Sequence, residues 1–318
     1  MTAIHALRTR LTALLQMMRA QFLIGIIFPL TVGMLITVYH TGTFRPLGFL
    51  LVAGIGLGAH IATNVYNDIY DTCQHADSTD DAARGSLSGG SGLLLANPDL
   101  MPKMLWLARS GLLLSLFFFA ATLTQVGPDL WPPLILIYAS SALLSKYYTA
   151  APVKLGYRGL GELFVWLSFG PLAVSLGVLS QNAPLDSWIL PFLPLTGLTT
   201  LTILWFGQLM DYPADQAAGK RGLVIRMGSR NARFGYLTLH LLILANFLAV
   251  SWLLPSIWWA VPAVLIVYVV LFPRLWITLS RHHSHPQYLR AVSQYNGALY
   301  LACSLLYLLE LGSALLLH

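Results

Sequence analysis

FGYLTLHLLILANFLAVSWLLPSIWWAVPAVLIVYVVLFP, residues 234–273, runs for 40 residues without a formal charge. A bilayer core takes about 20 apolar residues per helix. The stretch is therefore too long for one span, and Leu254-Pro255-Ser256 divides it into two. Further charge-free windows lie at 20–44, 46–67, 110–128, 130–145, 163–185, 187–210 and 291–309. The implied spans are 22–40, 47–70, 104–125, 131–146, 160–179, 188–210, 234–253, 257–273 and 294–316. The fold class is all-α: a polytopic membrane protein of nine helices, with no strand pattern anywhere. Composition agrees, since 57% of the 318 residues are hydrophobic and 9% charged, whereas soluble domains carry about a quarter charged residues.

Basic residues near span ends stay on the cytoplasmic side. With the N-terminus inside, seventeen of the 18 Lys and Arg fall in or beside cytoplasmic segments, and only Arg45 falls outside. This places the chain as a multi-pass protein of the cell (inner or plasma) membrane with a cytoplasmic N-terminus. No short apolar core with a small-residue cleavage site precedes the first span, so a retained N-terminus is expected. The net charge of +6 follows from topology and gives no ground for nucleic-acid binding. Residues 1–20 place Leu7, Leu11, Leu14, Leu15 and Met18 opposite Arg8, Thr12 and Arg19, the pattern of an interfacial helix. Cys73 and Cys303 are expected to stay unpaired. Neither long cytoplasmic connection, 71–103 or 211–233, has room for a soluble domain, so residues 1–318 read as one domain.

Those two connections hold the chemistry. His60, Asn64, Asn67, Asp68 and Asp71 share one helical stripe, with Asp77 a loop's reach away. An ionisable residue inside a span costs about 2.5–3.5 kcal/mol, which makes such a row a functional candidate. Asp211 and Asp215 repeat the idea one turn apart, with Gln208 beside them. Carboxylate and amide oxygens suit Mg²⁺, which keeps several waters and is completed by phosphate. Arg84, Lys146, Lys220 and Arg221 stand beside these acids, and the whole describes a diphosphate clamp. Arg226, Arg230 and Arg233 fit positive-inside anchoring instead.

These residues resemble the UbiA-type intramembrane prenyltransferases, in particular the 1,4-dihydroxy-2-naphthoate prenyltransferases of menaquinone and phylloquinone synthesis. Asn67-x3-Asp71-x5-Asp77 is similar to the family's first Asp-rich motif, and Asp211-Tyr-Pro-Ala-Asp215-Gln-Ala-Ala-Gly-Lys220-Arg221 to its second. Tyr148-Thr149-Ala-Ala-Pro152, Tyr157-Arg158-Gly159-Leu160-Gly161-Glu162-Leu163 and Phe169-Gly170-Pro171 resemble the naphthoate branch. The resemblance implies nine helices around a central cavity capped by cytoplasmic loops. It implies transfer of an isoprenyl group from a prenyl diphosphate to an aromatic acceptor. Mg²⁺ is then held by Asn67, Asp68, Asp71, Asp77, Asp211 and Asp215. Catalysis would rest on Asp71, Asp211 and Lys146, and substrate binding on Asn64, Asn67, Arg84, Tyr148, Arg158, Gln208, Lys220 and Arg221. The chain departs from that branch at Gly85–Gly92, which lacks a Gly-Pro and a further Arg, and at Gly207-Gln208-Leu209-Met210, where Asn and Arg are usual.

Other readings compete. The acceptor could be 4-hydroxybenzoate or homogentisate. CDP-alcohol phosphotransferases also use paired Asp and Mg²⁺, but need Asp-Gly and Ala-Arg elements that are missing between these acids. A cation transporter would need ionisable residues at mid-span. Glu162 is either a catalytic carboxylate or a helix-start residue, and Ser88–Gly92 reads as a lid, lacking a nucleotide loop's Gly-Lys-Ser ending. His282, His283 and His285 read as a solvated face, and His60 and His240 as packing residues. Trp106, Tyr138, Tyr147, Tyr148, Trp166 and Trp205 are the candidate cavity aromatics, suited to hold an apolar chain and a cation; Lys154 or Arg158 would face an acidic acceptor.

Overall fold

The computed structural model describes residues 3–74, 90–254 and 258–317. Asp77, Arg84, Ser88 and Gly89 lie outside the described residues. Helix α1 (Ala3–Met17) leaves Leu11, Leu14 and Leu15 40–53% exposed, the apolar row expected of an interfacial helix. Nine long helices follow among the described residues: α2 (Ile24–Thr41), α3 (Pro46–Cys73), α4 (Met101–Leu123), α5 (Trp131–Tyr147), α6 (Gly161–Leu179), α7 (Pro194–Met210), α8 (Leu223–Leu253), α9 (Ala260–His282) and α10 (Pro286–Leu317). Eight are long and apolar enough to cross a membrane, α7 together with the 3-10 turn Ser187–Phe192 before it; α5 is not among them. No described residue is in a strand. The protein is an all-α, multi-pass membrane protein.

The 234–273 stretch divides as its Leu-Pro-Ser sequence requires, with α8 ending at Leu253 and α9 starting at Ala260. Sequence reading placed several boundaries too close to the apolar windows. Helix α8 starts at Leu223 rather than 234 and bends at Gly228, whose φ of 76° only glycine adopts readily. Helix α9 runs on to His282, and α10 starts at Pro286. Hydropathy marks what a bilayer hides; the backbone continues helical hydrogen bonding into the polar layer beyond it.

Close helix contact is made by small residues. A Cβ on Gly58 would lie 2.6 Å from the Gly111 carbonyl oxygen, which welds α3 to α4. A Cβ on Gly33 would lie 2.0 Å from the Val174 carbonyl oxygen, which does the same for α2 and α6. One large apolar cluster joins α2 to α6–α10, and a second joins α2–α6. Between them α6 passes through a π-helical stretch at Ser168–Leu172 around Pro171. Such a bulge often marks a functional site, and Ser168, Phe169 and Leu172 here face an internal cavity.

Candidate active site

The C-terminal ends of α3, α5 and α7 and the N-terminal ends of α6, α8 and α10 meet at one end of the bundle. Beneath them lies a cavity of about 470 Å³, within the usual range for small-molecule sites. Its deep wall is apolar, including Leu30, Ile55, Leu172 and Leu176, and its mouth is lined by Asn67, Asp71, Asp211, Asp215 and Lys220. Arg19 and Lys220 are the cations in the wall among the described residues.

The first motif is aimed by helical period. Asn64, Asn67 and Asp71 all line the cavity. Asn67 donates through Nδ2 to Asp71 Oδ2 at 3.1 Å and accepts from Arg19 at 3.3 Å, while Asn64 donates to the Met18 carbonyl at 3.2 Å. Tyr157 donates its hydroxyl proton to Asp71 Oδ1 at 2.7 Å. Burial, then the Asp71 carboxylate, raises the Tyr157 phenol above its ordinary range, so it stays a donor. Burial, then the Glu162 carboxylate, does the same for Tyr148, whose ring lines the cavity.

The second motif leaves α7 at Asp211 and continues as a six-residue helix, Tyr212–Ala217. Gly219, at φ 71°, ends it in the left-handed turn that glycine supplies. Lys220 then turns back into the mouth. Its Nζ lies 2.9 Å from Asp215 Oδ1 and 3.5 Å from Asp71 Oδ2, and 5.2 Å from the Tyr157 ring centroid. Burial works against its charge, but Asp71, Asp215 and Tyr157 more than offset this and hold the ammonium well above the ordinary lysine range. Arg290, at the start of α10, lies 3.8 Å from Asp211 Oδ1.

A single ammonium held by carboxylates of both motifs shows that the two share a cation-sized space. The oxygen-only donor set fits Mg²⁺ in kind. No group of three His, Cys, Asp or Glu side chains able to hold a metal occurs among the described residues. An ion here would rest on one or two carboxylates and take its remaining oxygens from phosphate and water.

Several expected site residues stand elsewhere. Asp68 is absent from the cavity wall and accepts from the Ser91 backbone N–H and hydroxyl, tying α3 to the segment before α4. Lys146 lies on the flank of α5, 5.4 Å from the Tyr147 ring, because the cavity takes Leu144, Ser145 and Tyr148 from that helix. Arg158 is exposed and donates to the Pro152 carbonyl. Arg221 is also exposed, with its backbone N–H on the Tyr157 carbonyl. Of the expected aromatics only Tyr148 lines the cavity. Trp106 is 71% exposed, Tyr138 stacks on Phe119, and Trp205 donates to the Ala232 carbonyl. Phe22, Tyr157, Phe164, Phe169 and Tyr300 take their place. Arg19, which the sequence places on the polar face of the interfacial helix, and Arg290, one of the seventeen basic residues beside expected cytoplasmic segments, join the site as well. Both lie immediately beyond an apolar window, where a basic residue serves anchoring and site equally well.

Gln208 lines the cavity and donates to Glu162 Oε1 at 3.0 Å. Glu162 is 3% exposed and lies behind the wall. His60 lines the cavity two turns below Asn67, with its Nδ1 buried and unpartnered among the described residues and its ring edge-to-face with Phe169.

A family described as the UbiA prenyltransferase family matches residues 26–296. A 2-carboxy-1,4-naphthoquinone phytyltransferase of Synechocystis sp. is 27% identical over 214 residues, covering 64% of this chain and 62% of that enzyme. A 1,4-dihydroxy-2-naphthoate octaprenyltransferase of Mycobacterium tuberculosis is 38% identical over 82 residues, 26% of this chain and 28% of that one. The matched segments thus span under two thirds of these relatives' lengths. Among solved structures, a UbiA homolog from Archaeoglobus fulgidus bound to GPP and Mg²⁺ has a TM-score of 0.62 at 15% identity, over 92% of this chain and 98% of that one. The apo UbiA homolog from Aeropyrum pernix K1 gives 0.60 at 17% identity, over 87% of this chain and 96% of that one. These structures share the fold. With 271 consecutive positions matched, and with both acidic motifs brought to the mouth of one intramembrane cavity, the chain belongs to the UbiA prenyltransferase family.

Proposed function

We propose that the protein is a Mg²⁺-dependent aromatic prenyltransferase that joins an isoprenyl group from a prenyl diphosphate to 1,4-dihydroxy-2-naphthoate in quinone biosynthesis. One observation carries the reading: a cavity mainly apolar over its depth, with its carboxylates, lysine and arginine at its mouth, the shape of an isoprenyl diphosphate. The names of the Synechocystis and Mycobacterium relatives support the naphthoate acceptor.

In this reading Asn67, Asp71, Asp211 and Asp215 surround the ion site and one or two of these carboxylates would hold Mg²⁺ directly, which when bound neutralises the diphosphate and stabilises its departure. Lys220 faces the diphosphate oxygens. Tyr157 and Asn67 keep the Asp71 carboxylate oriented, so little reorganisation is needed as charge builds on the leaving group. The allylic carbon–oxygen bond breaks, a ring carbon of the acceptor bonds to the cation, and that carbon then loses its proton. Phe164, Phe169 and Tyr148 supply ring faces to the cation, and the apolar wall keeps water from it. Arg19, rather than the outward-facing Arg158, is the cation available to an acidic acceptor.

The test offers purified protein one long prenyl diphosphate with dihydroxynaphthoate, 4-hydroxybenzoate or homogentisate. The first is used at least tenfold better, a difference of about 1.4 kcal/mol in transition-state binding. Preference for a monocyclic acid overturns the acceptor, and no transfer to any overturns the reading. The mouth faces the cytoplasm of a cell membrane and residues 1–318 act as one domain. Impermeant thiol reagents applied to intact cells then label Ser187→Cys and spare Asn231→Cys, and the reverse pattern overturns the orientation.

A further inference from the structure

We infer that Glu162 is a positioning residue whose single carboxylate oxygen pins both ends of the segment carrying Asp211, Asp215 and Lys220. The inference rests on the proposed diphosphate site. Glu162 stands on the first turn of α6 and does not line the cavity. Its Oε1 accepts from Gln208 Nε2 at 3.0 Å and from the Leu223 backbone N–H at 2.8 Å. Gln208 lies three residues before Asp211, and Leu223 lies three residues after Lys220. Asp211, Asp215 and Lys220 therefore all fall between two donors that converge on one atom.

The local physics favours this use of a carboxylate. Leu223 opens α8, whose capping residue Gly222 contributes no side-chain hydrogen bond. The first N–H groups of a helix need an acceptor, and the helix dipole favours an anion there. Glu162 fills that role from another helix. The fit is close: a Cβ on Gly222 would lie 2.8 Å from Glu162 Oε1. Besides the clamp, the segment, a six-residue helix and a glycine turn, is tied down by the Arg221 N–H on the Tyr157 carbonyl, by Lys220 on Asp71 and by Arg290 on Asp211, and of these contacts Glu162 alone joins its two ends. Losing the clamp would leave the Asp211 and Asp215 carboxylates in place chemically but poorly placed relative to Asp71.

Three variants test this. Glu162→Ala removes the shared acceptor. Glu162→Gln keeps an oxygen able to accept from both donors. Leu223→Pro breaks the Leu223 end of the clamp, removing the donor and placing proline Cδ where the N–H met Oε1; proline otherwise suits the first helical position, and Gly222, at φ −57° and ψ 165°, already has the conformation a following proline requires. Prenyl diphosphate KM, acceptor KM, the Mg²⁺ concentration for half-maximal rate and hydrogen exchange over residues 211–222 are measured for each.

Glu162→Ala raises prenyl diphosphate KM and the Mg²⁺ requirement roughly tenfold, leaves acceptor KM unchanged and speeds exchange in the segment. Leu223→Pro does the same to a smaller degree, and Glu162→Gln restores values within roughly threefold of the parent. If Glu162→Ala does not accumulate, the other two variants decide. Complete loss of turnover in Glu162→Gln with exchange unchanged would overturn the clamp in favour of direct chemistry. Parent-like KM, Mg²⁺ dependence and exchange in Leu223→Pro and Glu162→Ala would overturn it outright. A parent protein that transfers no prenyl group, with Glu162→Ala still loosening residues 211–222, would sink the proposed function and leave the clamp standing.

Discussion

Asp71 stands near the end of a 28-residue helix, whereas Asp211 and Asp215 stand on a connection between two helices. On α3 the backbone's own hydrogen bonding fixes where Asn64, Asn67 and Asp71 point. Beyond α7 that regularity lasts only through the six residues Tyr212–Ala217, and the rest of the geometry is borrowed from Glu162, Tyr157 and a glycine turn. The contrast teaches that a motif on a helix tolerates loss of its neighbours, while a motif on a loop depends on residues far from it in sequence. Lys220 joins the two, reaching Asp215 beside it and Asp71 across the mouth.

The hardest test of the comparison is removal of a carboxylate from each side. Asp71→Ala and Asp211→Ala should each reduce Mg²⁺-dependent transfer by about 10²–10³ with membrane insertion intact, read by radiolabelled product formation. Near-normal turnover in either would show that the two motifs are not one site. Lys220→Met comes next. It leaves Asp71 and Asp215 without their shared counter-charge, so the protein should melt several degrees lower in the absence of Mg²⁺. Because the folded-state pKa of Lys220 lies above its ordinary 10.5, its contribution is complete at lower pH and is lost only as pH rises through the folded value. The melting difference between parent and variant should thus stay constant from about pH 7 to 10.

Tyr157→Phe probes how the loop side supports the helix side. It removes one hydrogen bond to a charged oxygen and should cost about tenfold in kcat, with acceptor KM preserved. Asp68→Ala sharpens the helix side itself: kcat should stay within about threefold while the melting temperature falls, since Asp68 serves the Ser91 turn. A changed Mg²⁺ requirement in that variant would return Asp68 to the ion site. Lys146→Ala, Arg158→Ala and Arg221→Ala should change prenyl diphosphate KM least, within about twofold, because those side chains face away from the mouth.

Much of this was readable in the sequence, and the rest was hidden for identifiable reasons. Apolar windows and the Leu254-Pro255 break revealed the helices. Asn67 and Asp68 marked the limit. At about 100° per residue they flank the same cavity-facing line on α3, so period alone admits both, and only the Ser91 contact turns Asp68 aside. Lys146 failed similarly, since nearness to a span end says nothing of rotation about the helix axis. Tyr157 was visible as part of a motif but not as the partner of Asp71, which is 86 residues away. Glu162 was noticed, with its partners out of reach of any local rule.

The junction between α1 and the first motif bears on how the protein can be handled. Met18 and Arg19 hold Asn64 and Asn67 through a backbone carbonyl and a guanidinium, so the turn between α1 and α2 forms part of the rim. Truncations or fusions that distort this turn would perturb the very residues under assay. Helix α10 begins beside Asp211 and ends at Leu317, about 40 Å away at 1.5 Å per residue. Purification handles, fluorophores and surface tethers therefore belong on the carboxyl end.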